Sequence, residues 1–148
     1  MTTTAPTTDG RVIALAHYAA RALLEGVLTR HGVTFQQNVA LRAVVAAGGA
    51  TGRDALVRDV TGSLKTGESA VRGVIEELTD GKLLEEDPSE ASRIRLTDAG
   101  RRLYGTTTRE TAAISARLYA GIPAGDLAVA GRVLTLVKER ANAELAGV

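Results

Sequence analysis

The stretch RIRLTDAGRRLYG, residues 93–105, changes from a strand pattern to a helix pattern within a few residues. Arg93-Ile94-Arg95-Leu96 alternates polar and apolar side chains, which is typical of a strand with one buried face. Thr97 then fits a helix start, and a long helical pattern follows it. A short strand with arginines on its open face is therefore predicted in a chain whose other segments are mostly helical.

The residues before this strand predict that it is the second half of a hairpin. Leu83 and Leu84 begin a short apolar run, and the sequence DPSE at 87–90 supplies the residues of a turn. Two strands alone are marginally stable in water, so the hairpin has to pack against helices. We expect Ile94 and Leu96 to close the core, with the arginines of the same strand facing outward.

Four helical segments precede the hairpin. The first covers residues 11–30, and its apolar side chains occupy more than one stripe, as in a helix that packs against a second subunit. Capping-box patterns at 34–37 and 51–54 predict the starts of a second helix and of a short third one. A fourth helix, residues 67–80, follows the turn-rich segment 61–67.

Two long helices follow the hairpin. The first runs from Thr97 to about Tyr119, where a Gly-Ile-Pro sequence at 121–123 ends it, and the second covers about 125–145. The last helix carries an apolar seam close to heptad spacing, formed by Leu127, Ala130, Leu134, Val137, Ala141 and Leu145. Residues 1–10, rich in threonine, are expected to be a flexible tail.

The composition excludes several classes of protein. With 148 residues, 45% hydrophobic and 24% charged, the chain is typical of one globular domain. It has no cysteine, which excludes disulfides and thiolate metal sites, and its two histidines are spaced too far apart to form a metal pair. It has no GxGxxG or P-loop motif, so we expect neither an enzyme nor a bound cofactor.

The sequence predicts neither export nor membrane insertion. The opening MTTTAPTTDG lacks the basic and apolar regions of a secretory signal. We count no apolar run that approaches the ~20 residues of a membrane span. A cytoplasmic protein without a membrane partner is therefore expected.

Charge is polarised along the chain, although the net charge is only +1. Residues 76–90 hold seven acids and one lysine, whereas residues 93–109 hold five arginines and one acid. The basic block is a candidate footprint for a polyanion. The alternative is that the two blocks pair with each other.

The order helix, short helix, turn, helix, hairpin over residues 34–97 is the plan of a winged helix-turn-helix, and the chain resembles the MarR family of bacterial transcription regulators. The resemblance covers residues 11–146 and is strongest in SAVRGVIEEL (69–78), KLLEED (82–87) and RIRLTDAGRRL (93–103). It implies a mainly α fold with a two-stranded β-hairpin as the wing.

The resemblance also implies a domain organisation. Residues 11–33 and 98–148 would form a helical dimerisation region, and residues 34–97 would form the lobe that binds double-stranded DNA. The lobes of a symmetric homodimer would enter successive major grooves of a palindromic operator, roughly 34–36 Å apart. The expected function is that of a sequence-specific transcription regulator, a repressor whose DNA affinity is lowered by a small effector.

In this interpretation residues 67–80 are the recognition helix, with the N-terminal half in the groove. Hydroxyls and helix N-terminal amides suit phosphates, and the arginine fork suits guanine. The predicted DNA contacts are Arg53, Lys65, Thr66, Ser69, Arg72 and, on the wing, Arg93. Two alternatives stay open: Arg72 pairs with a glutamate four residues away, Glu68 or Glu76, and Arg53 pairs with the neighbouring aspartate.

Three departures from the family pattern keep a second function open. Glu85 and Glu86 stand where relatives usually carry arginines, and EAS at 90–92 replaces an Asp-Arg-Arg wing tip. Arg72 lies one residue out of phase with the usual arginine, near Gly73, which rotates the side chain by about 100° around the helix. The alternative function is a winged-helix protein-interaction module with weak or no DNA binding.

The family often binds small aromatic or anionic molecules between the dimer helices and the winged lobe. Matching positions here lie on the first helix and at the starts of the second and fifth helices. The residues predicted to contact such a ligand are His17, Tyr18, Arg21, His31 and Phe35, with Gln36 beside them.

Overall fold

The computed structural model describes residues 4–147, which form six helices and one small sheet. The helices are α1 (Gly10–Arg30), α2 (Phe35–Ala46), α3 (Arg53–Leu64), α4 (Glu68–Asp80), α5 (Asp98–Tyr119) and α6 (Ala124–Ala146). The strands are β1 (Ala50–Gly52), β2 (Leu84–Asp87) and β3 (Glu90–Leu96). The chain divides into two compact units, the first ending at Ala113 and the second beginning at Ile114. Of the predicted tail, residues 1–3 lie outside the described residues, and residues 4–9 form no helix or strand.

Local sequence signals account for the end of α1 and the start of α2. At the end of α1, Gly32 has a φ of +71° and the Val33 amide donates to the Leu28 carbonyl at 3.0 Å, as in a Schellman motif. At the start of α2, Thr34 and Gln37 each accept a hydrogen bond from the other's backbone amide at 3.1 Å. The capping box predicted at 34–37 is confirmed.

A third strand, which the sequence analysis did not predict, follows α2 and precedes α3 in the chain. β1 pairs antiparallel with β3, with Thr51 opposite Ile94, and the strand order is β1-β3-β2. The capping box predicted at 51–54 is therefore wrong, because Gly52 is the N-cap of α3 and makes no side-chain cap hydrogen bond. The backbone of this segment pairs with a strand far along the chain, and local spacing carries no signal for such a partner.

The third helix is longer than the sequence predicts. A turn is expected over 61–67, but residues 61–64 form the last turn of α3. Val60 is fully buried, and Leu64, one turn later, packs against the same core. This burial outweighs the low helix propensity of the glycine between them. The chain reverses only after Leu64, at Lys65, which has a left-handed φ of +55°.

The core of the first unit is built by α2, α3, α4 and the sheet. Ile94 and Leu96, predicted to close this core, are 0% and 5% exposed. The other buried side chains of the cluster are Val39, Ala40, Leu41, Val44, Leu56, Val57, Val60, Val71, Ile75, Leu78 and Leu84. Since α4 contributes to this core from one face, its opposite face is left to solvent.

Helix α1 is mostly exposed. Within the described chain only Val27 and Leu28 of this helix are buried, and Leu15 and Leu23 are not. By length and composition alone α1 is long and apolar enough to cross a membrane, with a mean hydropathy of 1.3 over a window that is 11% buried. Arg21 and Glu25 interrupt its apolar residues, so α1 contains no uninterrupted apolar run of the length expected for a span. A helix that packs against a second subunit has the same composition.

The second unit comprises the end of α5 and the whole of α6. In the described part of the chain α6 has no buried residue. Its large apolar side chains are 36% to 58% exposed: Leu127, Val129, Val133, Leu134, Leu136, Val137 and Leu145. Four residues of the predicted seam are among them, so the seam is present as an exposed apolar face of α6.

Candidate nucleic-acid interface and ligand cavity

Helix α4 has one buried face and one exposed polar face. Val71, Ile75 and Leu78 recur at helical spacing and are each 1% exposed, which fixes the rotation of the helix on the core. The opposite face forms an open concavity lined by Glu68, Ser69, Arg72, Gly73 and Glu76. The exposed face of α4 therefore presents a hydroxyl, one arginine and two carboxylates to solvent.

Arg72 is held by two carboxylates. Its Nε and Nη2 donate to one oxygen of Glu68 at 2.9 and 2.8 Å, and Nη2 also donates to Asp54 at 3.4 Å. These bonds, that to Glu68 first, raise the pKa of Arg72. Of the two pairings considered from sequence, the one with Glu68 is formed. Among the described residues no ion pair joins Arg72 to Glu76.

The three predicted DNA contacts around the start of α4 have different surroundings. Lys65 is exposed at the left-handed residue that ends α3. Ser69 is exposed in the first turn of α4. Thr66 is half-buried and lines a cavity in the first unit, so its side chain lies on the cavity wall.

Arg53 connects the start of α3 to the wing. Its Nη2 donates to Glu86 of β2 at 3.3 Å, so its partner is not the neighbouring aspartate considered from sequence. This contact spans two elements of the winged lobe. A phosphate that approached Arg53 would compete with Glu86 for the same guanidinium.

The two arginines of β3 differ in their partners. Arg95 lies opposite Glu85 in the sheet register, and its Nε donates to that carboxylate at 2.8 Å. The acidic and basic blocks of the sequence pair with each other at this point. Arg93 lies opposite Gly52 of β1, is half-buried, and forms no ion pair among the described residues.

The tip of the wing is organised by a carboxylate. Asp87 accepts hydrogen bonds from the Ser89 hydroxyl at 2.7 Å and from the Ser89 amide at 2.9 Å. These bonds, the hydroxyl first, lower the pKa of Asp87, and the charges of Arg95 and Arg93 act in the same direction. The tip therefore carries a fixed negative charge, in contrast to the basic tip of the family pattern.

A cavity of about 230 Å³ opens within the first unit, beside the start of α4. Its lining combines one cation with aromatic, amide and aliphatic groups: Arg21, Phe35, Gln36, Leu64, Thr66, Ala70, Val71 and Val74. The Arg21 guanidinium lies 4.0 Å from the Phe35 ring centroid, and its Nε and Nη2 both donate to Glu25 at 3.2 Å. Such a lining suits a small molecule with an apolar body and an anionic group.

The structure brings together two of the five predicted ligand residues. Arg21 and Phe35 share the cavity, with Gln36, whereas His17, Tyr18 and His31 are not among the residues that line it. The rings of His17 and Tyr18 are 6.1 Å apart and exposed.

Sequence reasoning missed the lining contributed by α3, α4 and the turn between them. A signal was present in Ala70 and Val74, which lie four residues apart and outside the buried stripe of α4. Their second apolar stripe indicates that α4 has a further partner surface.

His31 belongs to a charged cluster between the end of α1 and α5. Its Nε2 lies 3.1 Å from one oxygen of Glu110, and Arg30 donates to the other oxygen at 3.0 Å. His31 first, and then Arg30, lower the pKa of Glu110 from its ordinary value of 4.5. In the described residues no group of three or more His, Asp or Glu could hold a metal ion.

Comparisons with known proteins find likeness at the level of structure. No family model and no curated protein sequence matches the chain. The PcaV transcriptional regulator from Streptomyces coelicolor, in complex with its natural ligand, is 25% identical, with a TM-score of 0.68 over 95% of this chain and 99% of that one. CouR from Rhodococcus jostii RHA1, bound to p-coumaroyl-CoA, is 20% identical, with a TM-score of 0.74 over 87% and 90%. A mutant MarR from E. coli, complexed with operator DNA, is 17% identical, with a TM-score of 0.70 over 86% and 91%.

Proposed function

Because the chain has the winged helix-turn-helix fold of the MarR-family regulators, we propose that it is a transcription regulator that binds double-stranded DNA and responds to a small molecule. In detail, the proposal is a cytoplasmic homodimer that recognises a palindromic operator and represses transcription. Residues 11–33 and 98–148 form its dimerisation region, and residues 34–97 form its DNA-binding lobe. It has no catalytic role.

The observation that carries the DNA-binding proposal is the arrangement of α4. Three buried side chains fix the helix on the lobe, and its N-terminal half is exposed with Ser69 and Arg72 on the solvent face. The structurally similar mutant MarR from E. coli is complexed with operator DNA, so a protein of this fold binds DNA. A helix held in this way can lie in a major groove while Lys65 and Arg93 contact phosphates on either side.

Exposed apolar residues support the homodimer. In the first unit, Leu15, Tyr18 and Leu23 of α1 are 44% to 64% exposed. In the second unit, α6 exposes a row of valines and leucines along its length. Monomeric proteins rarely leave such large apolar surfaces in water. We propose that each of these helices packs against a second copy of the chain, which gives two lobes for the two halves of a palindrome.

The cavity supports regulation by a small molecule. Its walls include Thr66 and Ala70, which stand at the start of the recognition helix, and its cation is Arg21 of α1. A ligand that fills it would shift the start of α4 relative to α1. Coupling free energies between effector and target sites are typically about 1–3 kcal/mol. Of the structurally similar regulators, CouR is bound to p-coumaroyl-CoA and PcaV is in complex with its natural ligand, which supports a regulator that responds to a ligand.

The alternative function, a protein-interaction module with weak or no DNA binding, is favoured by one specific observation. Arg53 and Arg72, two of the predicted DNA contacts, are both paired with carboxylates of the lobe itself. Such pairs oppose phosphate binding, and Glu85 and Glu86 add negative charge to the hairpin.

The two functions are separated by measuring the mass and the DNA binding of the purified full chain. We expect a dimer in sedimentation equilibrium. Fluorescence anisotropy with DNA from upstream of its own gene is expected to show binding that weakens steeply between about 50 and 200 mM salt. Arg72→Ala should weaken this binding about fivefold or more, whereas Arg102→Ala, which removes an exposed arginine of α5, should have little effect. A monomer, or no salt-sensitive binding at micromolar protein, would favour the alternative.

A further inference from the structure

We propose that Glu68 and Asp54 are positioning residues that set the DNA specificity of the lobe, because they hold Arg72 until a base edge replaces them. The inference rests on the proposed DNA-binding function and concerns the same surface. We refer to Asp54, Glu68 and Arg72 together as the Arg72 clamp.

The clamp occupies three of the five N–H groups of Arg72. An arginine has five N–H groups, one on Nε and two on each terminal nitrogen. In Arg72 the Nε group and one Nη2 group donate to Glu68, and the other Nη2 group donates to Asp54. Among the described residues the two groups on Nη1 have no such partner. A bidentate contact with guanine needs parallel N–H groups on two different nitrogens, so it requires the release of at least one carboxylate.

The clamp is built across two helices. Glu68 stands one turn before Arg72 on α4, the orientation in which an acid–base pair agrees with the helix dipole. Asp54 comes from the first turn of α3 and approaches the same nitrogen from outside α4. Glu76 stands one turn after Arg72, in the less favourable orientation, and shares no ion pair with it among the described residues. The clamp therefore uses particular carboxylates rather than the general acidity of the surface.

The clamp is weak enough to open. The side chains of Arg72, Glu68 and Asp54 are 43%, 64% and 79% exposed. Ion pairs at this exposure are easily replaced by other partners. A phosphate that reaches Arg72 also meets two carboxylates at close range, which oppose it. A base edge in the groove lies farther from the phosphates and offers two acceptors in the geometry of the guanidinium fork.

Opening the clamp costs the same on every sequence. A phosphate can also accept a bidentate contact, but the nearby carboxylates repel it, whereas a matching guanine accepts the two bonds without bringing a negative charge. The carboxylates therefore lower the affinity for non-operator DNA more than the affinity for the operator. Removing them should free Arg72 for any phosphate and reduce discrimination.

The test compares Glu68→Gln, Asp54→Asn and the double variant with the wild-type protein. Binding is measured by fluorescence anisotropy on a random-sequence duplex and on a duplex that the wild-type protein enriches from a random pool. Glu76→Gln is the matched control, since it removes the same charge from the same helix without touching the clamp. Each variant is also made together with Arg72→Ala, so that an effect transmitted through Arg72 is separated from general electrostatics.

We expect the double variant to bind the random duplex about three- to tenfold more tightly. The slope of log affinity against log salt concentration should become steeper by about 1, as expected for one additional phosphate contact. Its gain on the enriched duplex should be smaller, so the specificity ratio falls. In the Arg72→Ala background the gain of Glu68→Gln should shrink to that of Glu76→Gln, and the gain of the double variant, which removes two charges, to about twice that value on the free-energy scale. The wild-type protein could bind no random duplex while the double variant binds one through Arg72. This result would also support the inference, because the carboxylates would then prevent such binding completely.

Two results would overturn the inference in distinguishable ways. If the wild-type protein binds DNA and the clamp variants behave like Glu76→Gln, with or without Arg72, the clamp has no role and the proposed function stands. If the wild-type protein enriches no duplex from the random pool, and neither it nor the double variant binds the random-sequence duplex, the proposed function itself fails. Circular dichroism and the sedimentation mass of each variant are measured to check that the fold and assembly are unchanged.

Discussion

Gly100, in the first turn of α5, packs directly against the backbone carbonyl of Leu83 at the entry to the wing. A Cβ atom at position 100 would overlap the Leu83 oxygen and lie 3.2 Å from a methyl group of Leu96. The Gly100 amide also donates to the Thr97 hydroxyl at 2.9 Å, and that hydroxyl donates to the Lys82 carbonyl at 2.6 Å. The start of α5 therefore packs against the entry to the wing and is hydrogen-bonded to its backbone through Thr97. A glycine is required at position 100 because a side chain would not fit between α5 and the Leu83 carbonyl.

Gly100→Ala should destabilise the protein because the added methyl group forces α5 away from the wing. We expect the free energy of unfolding to fall by about 2 kcal/mol or more, measured by urea denaturation. Gly105→Ala is the matched control in the same helix, where the new Cβ would meet only Arg109, at 3.6 Å. This control should raise stability by up to about 1 kcal/mol through helix propensity. Equal effects of the two substitutions would contradict the packing account.

The Glu110 cluster should make stability depend on pH at the acid end. The folded-state pKa of Glu110 is lowered, chiefly by His31 and then by Arg30, so the carboxylate contributes stability above its unfolded pKa of about 4.5. That contribution is lost as the pH falls through the lowered folded-state value. Glu110→Gln should therefore be less stable than the wild-type protein at pH 6, and the difference should shrink below about pH 4.5.

The measurement for Glu110 is thermal unfolding at a series of pH values. Glu139→Gln is the control, because Glu139 is an exposed acid of α6 in the other unit. A difference between Glu110→Gln and the wild-type protein that stays constant from pH 6 to pH 3 would show that the carboxylate contributes no charge-dependent stability.

Arg21 should determine whether the cavity accepts an anionic aromatic molecule. Benzoate is the simplest probe, since its ring fits the aliphatic lining and its carboxylate can pair with the guanidinium over Phe35. Arg21→Gln should weaken benzoate binding about tenfold or more, measured by calorimetry. We also expect benzoate to lower the DNA affinity of the wild-type protein, and Arg21→Gln should remove this effect.

The control for Arg21 is Arg11→Gln, an exposed arginine of the same helix that does not line the cavity. Benzoate binding that is unchanged in Arg21→Gln, or lost equally in both variants, would place the anion elsewhere. Phe35→Leu should weaken binding less than Arg21→Gln, because it keeps the apolar volume and the cation.

The two arginines of β3 should differ in their effect on DNA binding. Arg93→Ala should weaken binding to all sequences alike and reduce the salt slope by about 1, as expected for one lost phosphate contact. Arg95→Ala is the natural control, because Arg95 is already paired with Glu85 at 2.8 Å. Both are measured by anisotropy titrations at several salt concentrations. Equal losses from the two variants would show that the wing contributes net charge rather than a specific contact.

Signals that span a few residues were sufficient for much of the fold. The capping box at Thr34 and Gln37, the cap at Thr97 and the left-handed Gly32 each involve groups within five residues of one another. The periodicity of α4 also predicts its buried face, because side chains three and four residues apart share one side of a helix. These features depend on local geometry, which the sequence specifies directly.

Contacts between distant segments were decided by the tertiary structure. β1 exists because its backbone pairs with β3, and α3 extends to Leu64 because that side chain meets the core. The partners of Arg53 and the second partner of Arg72 come from other elements, β2 and α3. The cavity joins Arg21 of α1 to Thr66 before α4, a pairing that no spacing rule links. Neighbouring residues were enough to predict the six helices, the caps at Thr34 and Thr97 and the hairpin of the wing, but not the start or the end of α3. Which arginines are free and where a ligand fits depend on packing between segments far apart in the chain, and only the folded arrangement supplies that information.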